Sequence, residues 1–137
     1  MSLVLDCSAT LAFVLPDEIP SASQALLDQV AANGAWVPSL WKLEVANALC
    51  MAVRRGRITQ PYRNALLHQL ARLEIQTDPE TGANAWGNTL TQAGLHGLTL
   101  YAAAYLELTL RRDFVLATLD AQLQKAASAE GLELNRI

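Results

Sequence analysis

The sequence predicts one α/β domain: a three-layer α/β/α sandwich with helices on both faces of a mostly parallel, four- to five-stranded sheet. Three observations lead there. Short apolar runs alternate with helical segments from end to end, the pattern of strand–helix–strand units joined by right-handed crossovers. The length, 137 residues, suits a single domain with a sizeable core. The composition, 52% hydrophobic against 17% charged, supplies that core, and no repeat, low-complexity stretch or linker divides the chain.

Element by element, Leu3-Val4-Leu5 reads as a buried strand, and a helix follows from about Ser8. Ser21 to Ala32 forms a second helix with apolar or small residues at Ala25, Leu26 and Val30, stopped by Gly34. Ala35-Trp36-Val37 makes the second strand, ended by Pro38, and Ser39 then caps a long helix through Val53. Thr59 opens the next helix, with Pro61 in its first turn, where a missing N–H does little harm. Leu73-Glu74-Ile75-Gln76 alternates with period two and reads as a third strand. Asp78, followed by Pro79 and Glu80, starts a helix to about Ala93, and Thr99 starts another. Phe114-Val115-Leu116-Ala117 is a fourth strand, Ala121 to Ala129 a final helix, and Leu132-Glu133-Leu134 a candidate edge strand.

Composition narrows the function classes. The longest nearly apolar stretch, Cys7 to Pro16, is too short for a bilayer span of about 20 residues. Asp6 interrupts the first hydrophobic run and no basic leader precedes it, so a cytoplasmic protein with no membrane partner is expected. Cys7 and Cys50 lack metal-ligand spacing and are expected to be reduced, buried thiols, while His68 and His96 have no partner at i+4 for zinc. A net charge of −3 argues against a general nucleic-acid coat, though not against a local patch. The one basic cluster, Arg54-Arg55-Gly56-Arg57, reads as a helix C-terminus where cations complement the dipole and Gly56 supplies the stop.

Three acids stand out. Asp6 directly follows the first strand, at the carboxyl edge where parallel sheets bind ligands, and Asp120 repeats the pattern after the fourth. Each has a plainer job available, capping the helix that follows, and for Asp6 the two readings stand even. Glu44 is sharper. It shares a helix face with Leu40, Trp41, Ala48 and Met51, while Lys42 and Asn47 already mark a polar side. A partly buried carboxylate there needs a partner or a cation, because burying the charge alone costs several kcal/mol. Clustered acids repel one another unless neutralised, and a hard ion such as Mg²⁺ or Mn²⁺ suits all-oxygen ligands and can support hydrolysis of a phosphodiester.

Four motifs, in order, carry a family resemblance. They are Leu3-Val4-Leu5-Asp6-Cys7-Ser8-Ala9, Pro38 to Leu49 around Glu44, Gly97 to Leu108 around Tyr101-Ala102-Ala103, and Leu116-Ala117-Thr118-Leu119-Asp120. Over nearly its whole length the chain resembles PIN-domain proteins, specifically the short VapC-type toxins of bacterial VapBC toxin–antitoxin pairs. The resemblance implies the α/β/α sandwich, an Mg²⁺- or Mn²⁺-dependent endoribonuclease acting on RNA, a homodimer, and silencing by an antitoxin whose C-terminal segment covers the active site. It places the family's catalytic, metal-holding acids on Asp6, Glu44 and Asp120, with Ser8 and Thr118 as supporting hydroxyls.

One position departs. Family members usually carry Asp in a Tyr-Asp-Ala motif where this chain has Ala102. An acid three residues after Thr99 would suit both a capping-box-like start and the helix dipole, and Ala supplies neither. Alanine is also simply the best helix former, but Tyr101, Ala103 and Leu106 persist around it, which favours loss of a ligand. The expected activity is therefore a ribonuclease weakened or inactivated at Ala102, with a catalytically degenerate RNA- or protein-binding module as the alternative. A phosphotransfer domain fits poorly, because Asp6-Cys7-Ser8 lacks the second Asp of a phosphatase motif.

Overall fold

The computed structural model describes residues 2–15 and 21–135. Four strands, β1 (Leu3–Leu5), β2 (Ala35–Val37), β3 (Ile75–Thr77) and β4 (Val115–Ala117), form one parallel sheet in the order β3-β2-β1-β4. Leu3, Val4 and Leu5 face Val115, Leu116 and Ala117 across the β1–β4 pair. The candidate edge strand near Leu134 reduces to a single parallel bridge to Leu116. Every residue of β1 is buried, so the strand is covered on both faces and reads as a continuous apolar run rather than an alternating one.

Around the sheet lie α1 (Cys7–Val14), α2 (Ser21–Asn33), α3 (Trp41–Arg54), α4 (Gln60–Ala71), α5 (Thr81–Asn84), α6 (Asn88–His96), α7 (Leu100–Arg112) and α8 (Ala121–Ala129). The chain steps from β1 to β2 to β3 in one direction and then returns past both to β4. Right-handed crossovers therefore put α1 to α4 on one face and α5 to α7 on the other. Packing agrees: α1 lies on α2 and α3, α3 on α4, and α7 on α6, α8, β1 and β4. The deepest helix is α7, buried without interruption from Ala103 to Thr109. After β1 the chain leaves toward one face and after β4 toward the other, so the crevice between their carboxyl ends is the topological switch point of the sheet.

Some boundaries differ from expectation, each for a local reason. Ser39 does not cap α3; Leu40 occupies the cap position without a side-chain bond, and the Ser39 N–H donates instead to Thr81 Oγ1 at 3.0 Å. The third strand is Ile75–Thr77, two residues later than the alternation suggested. Glu74 is held just ahead of it by the Ala35 N–H on its carbonyl, 3.0 Å away. Gly34 permits that approach, since a Cβ there would lie 2.6 Å from the Glu74 oxygen and φ is +75°. The helix expected from Asp78 starts at Thr81 and breaks at Gly87 into α5 and α6, the latter running on to His96. Asp78 is no cap: its carboxylate is buried against Arg111.

Candidate active site

Of the two jobs weighed for Asp6, the structure shows the cap. It N-caps α1, with Oδ1 accepting the Ala9 N–H at 2.8 Å and the Ser8 hydroxyl at 2.7 Å. It also stands at the carboxyl end of β1, where its own N–H donates to the Ala117 carbonyl of β4. Its Oδ2 accepts the Thr118 hydroxyl. Thr118 Oγ1 in turn accepts the Asp120 N–H at 3.0 Å, and Ser8 Oγ accepts the Leu119 N–H at 2.9 Å. The two expected supporting hydroxyls thus stitch the β1 and β4 ends together across the switch point.

Asp120 is exposed and N-caps α8, its Oδ1 accepting N–H groups of Gln122 and Leu123 at 2.8 and 3.1 Å. Glu44 sits in the first turn of α3, half-buried, and Oε1 accepts the Tyr105 hydroxyl at 2.5 Å. The Trp41 indole N–H donates to Thr10 Oγ1 at 3.0 Å and fixes that turn against α1. Ala102 occupies the first turn of α7, where its N–H donates to the capping Thr99 hydroxyl at 3.1 Å and its side chain brings no oxygen.

Electrostatics show how the acids feel one another. Burial pushes the Asp6 carboxyl up from the ordinary carboxylate range; the bonds from Thr118, Ala9 and Ser8 oppose this, and the Asp120 charge adds to it. Burial likewise raises Glu44, opposed by the Tyr105 hydroxyl and reinforced by Asp6. The Cys7 thiol, between them, is pushed up to about 12 by burial and then by Glu44 and Asp6. The oxygen chemistry suits a hard cation. Yet among the described residues no three His, Cys, Asp or Glu side chains converge closely enough to hold a metal. Both oxygens of Asp6 and one of Asp120 already serve internal donors. The residues present do not complete a divalent-cation centre.

No family model matches the chain. Ribonuclease VapC3 of Pyrobaculum aerophilum is 31% identical over 123 residues, spanning 90% of this chain and 92% of that protein. The chain belongs to the VapC ribonuclease family. Solved structures agree on the fold. PAE2754 of Pyrobaculum aerophilum superposes with a TM-score of 0.66 at 24% identity, covering 92% of this chain and 86% of that one. FitAcB of Neisseria gonorrhoeae gives 0.67 at 14% identity, covering 98% and 96%. VapBC2 of Rickettsia felis, bound to a DNA fragment from its promoter, gives 0.65 at 13% identity, covering 98% of each chain.

Within this VapC fold, two groups escaped the sequence reading. One is Tyr105, whose only forewarning was that a half-buried Glu44 needs a partner. The other is Arg111, which binds Asp78, Glu80 and Glu107. Arg112 is engaged too, its guanidinium 4.5 Å from the Trp36 ring, 5.1 Å from Phe114 and 4.0 Å from Asp78 Oδ1. The Arg54 cluster is a helix end as expected, with Arg54 in the last turn of α3 and Gly56 at φ +72° just beyond it. Both cysteines are free thiols but half-buried rather than buried. No helix of the described residues is long and apolar enough to cross a membrane. A cavity of about 430 Å³ opens at the amino edge of the sheet, between Ser2, Asn33, Trp36 and Glu74, and takes no part in the acidic site at the opposite edge.

Proposed function

We propose that this chain is a toxin-type endoribonuclease of the VapC lineage, paired with a cognate antitoxin, whose acidic centre is incomplete and whose RNA cleavage is correspondingly weak. Family membership supports the ribonuclease class. The carrying observation is Ala102: it stands in the first turn of α7, one turn before the tyrosine that reaches Glu44, and offers a methyl group there. Asp6, Glu44 and Asp120 are the residues we assign to catalysis and to metal holding in a completed site, with Ser8 and Thr118 fixing Asp6. An all-oxygen set of that kind takes Mg²⁺ or Mn²⁺, which supplies charge neutralisation and an activated water when bound.

What this chain's own residues do is narrower. Ser8, Ala9 and Thr118 hold the Asp6 carboxylate in one orientation at the switch point. Asp120 keeps a carboxylate at the end of β4, and Glu44 approaches from α3. Losing a ligand outright should cost more than the 10- to 100-fold typical of changes in the groups that merely orient ligands. A homodimer in the cytoplasm is the assembly we expect, with light scattering as its check.

Ala102→Asp tests the reading. The variant should cleave RNA in an Mg²⁺-dependent manner and arrest growth when expressed without antitoxin, whereas the parent does so far less. Failure of Ala102→Asp on both counts, with Asp6 and Glu44 intact and the protein folded, overturns the nuclease reading. A degenerate binding module is the second reading, favoured by the lack of three converging ligands. It predicts RNA or partner binding that ignores both Mg²⁺ and Asp6→Asn.

A further inference from the structure

We propose that Tyr105 is a positioning residue of the acidic site, clamping the Glu44 carboxylate from the opposite helical layer. This rests on the assignment of Glu44 to the site. Glu44 belongs to α3, on one face of the sheet, and Tyr105 to α7, on the other; their bond closes over the carboxyl edge between them. Tyr105 is only 2% exposed and its ring is part of the core cluster, so packing fixes where the hydroxyl points. A buried phenol without an acceptor is costly, which holds the bond from its side as firmly as the carboxylate does from the other.

Position 105 follows Ala102 by three residues and therefore shares its helix face. Where α7 carries no carboxylate in its first turn, its second turn supplies the polar contact to Glu44. Without that contact a half-buried helical Glu would turn to solvent, away from Asp6. The clamp, with the Trp41–Thr10 bond one turn earlier, fixes the first turn of α3 against two other helices. Such support from rigid elements is what keeps a site residue in working geometry.

A double-mutant cycle tests this in the protein as it stands. Tyr105→Phe keeps the ring and removes only the hydroxyl, so a packing role predicts little loss. Positioning predicts an unfolding equilibrium constant raised about 10- to 100-fold, as for a hydrogen bond to a charged group. In a Glu44→Ala background the same change should cost nothing. Equal costs in both backgrounds, or no cost in the parent, overturn the proposal. In an Ala102→Asp chain that cleaves RNA, Tyr105→Phe should lower kcat about 10- to 100-fold with KM unchanged; unchanged kcat also overturns it. If Ala102→Asp cleaves no RNA, the cycle alone decides, and a coupled cycle then upholds the clamp while the nuclease reading falls.

Discussion

Arg111→Met should be among the most damaging single changes outside the acidic site. The guanidinium donates from Nε to Glu107 Oε2 at 2.7 Å and from Nη2 to Glu107 Oε1 at 3.1 Å. It also reaches Asp78 Oδ2 at 2.5 Å, Asp78 Oδ1 at 3.3 Å and Glu80 Oε2 at 3.1 Å. The Asp78 and Glu107 side chains are 0% and 4% exposed, so among the described residues removing Arg111 strands the Glu107 carboxylate and leaves Asp78 only Arg112 at 4.0 Å and the Thr81 hydroxyl at 3.4 Å. Breaking a buried pair by deleting one partner costs about 3–5 kcal/mol. That is a large part of a total stability of about 5–15 kcal/mol, and at about 3–5 °C per kcal/mol it lowers Tm by roughly 10–20 °C. Arg111→Lys keeps the charge but loses the fork that meets two carboxylates at once, and should fall between parent and Met variant. Adding Asp78→Leu and Glu107→Met to Arg111→Met should recover most of the loss, because replacing a whole buried ion network by apolar residues of similar volume is often near-neutral. Urea denaturation of the four proteins is the assay. An Arg111→Met chain within about 1 kcal/mol of the parent would refute the argument that these carboxylates depend on it. Function is linked, since this network anchors α7, the helix bearing Ala102 and Tyr105, to the turn after β3.

Stability should also carry the signature of the acidic site. Asp6 and Glu44 are both raised by burial above the ordinary carboxylate values of 3.8 and 4.5, so the folded state holds their protons more tightly than the unfolded one. Their contribution is fully present below those values and is lost as pH rises through the raised ones. Asp6→Asn should therefore flatten the decline in urea midpoint as pH rises above about 4, and an identical slope in both proteins would contradict it. Cys7, with its thiol pushed up to about 12, should resist alkylation at pH 8 in the folded protein and react once urea exposes it, as read by mass spectrometry.

How much was legible in the sequence follows the range of the interactions involved. The parallel sheet showed through because strands buried on both faces must be apolar throughout, as Val4 and Leu116, both fully buried, illustrate. Ser8 and Thr118 meet although they lie 110 residues apart, because each follows a strand whose end the topology brings to one edge. Asp78 was misread because Asp-Pro-Glu has the composition of a helix start, while its true partner Arg111 lies 33 residues away. Tyr105 was missed for a similar reason: in an apolar helix it reads as core, and core it is, except for one oxygen whose partner is 61 residues back in the other helical layer. Local propensity sees caps and periods but has no view of pairings across the sheet.

Ala102 shows how little the fold itself asks of the side chain at this position. The Thr99 cap bonds to the backbone N–H of residue 102, which every residue except proline possesses. The capping geometry is therefore indifferent to the side chain, and alanine has the best helix propensity available there. A carboxylate at 102 would bring some gain from the helix dipole but would add a further negative charge to a fold whose Asp6 and Glu44 carboxyls are already raised by burial. For folding alone, alanine is the easier choice, so every neighbouring residue can stay as the fold requires. Fold and family could therefore be read independently of Ala102, whereas the proposed weakness in cleavage is read from it alone.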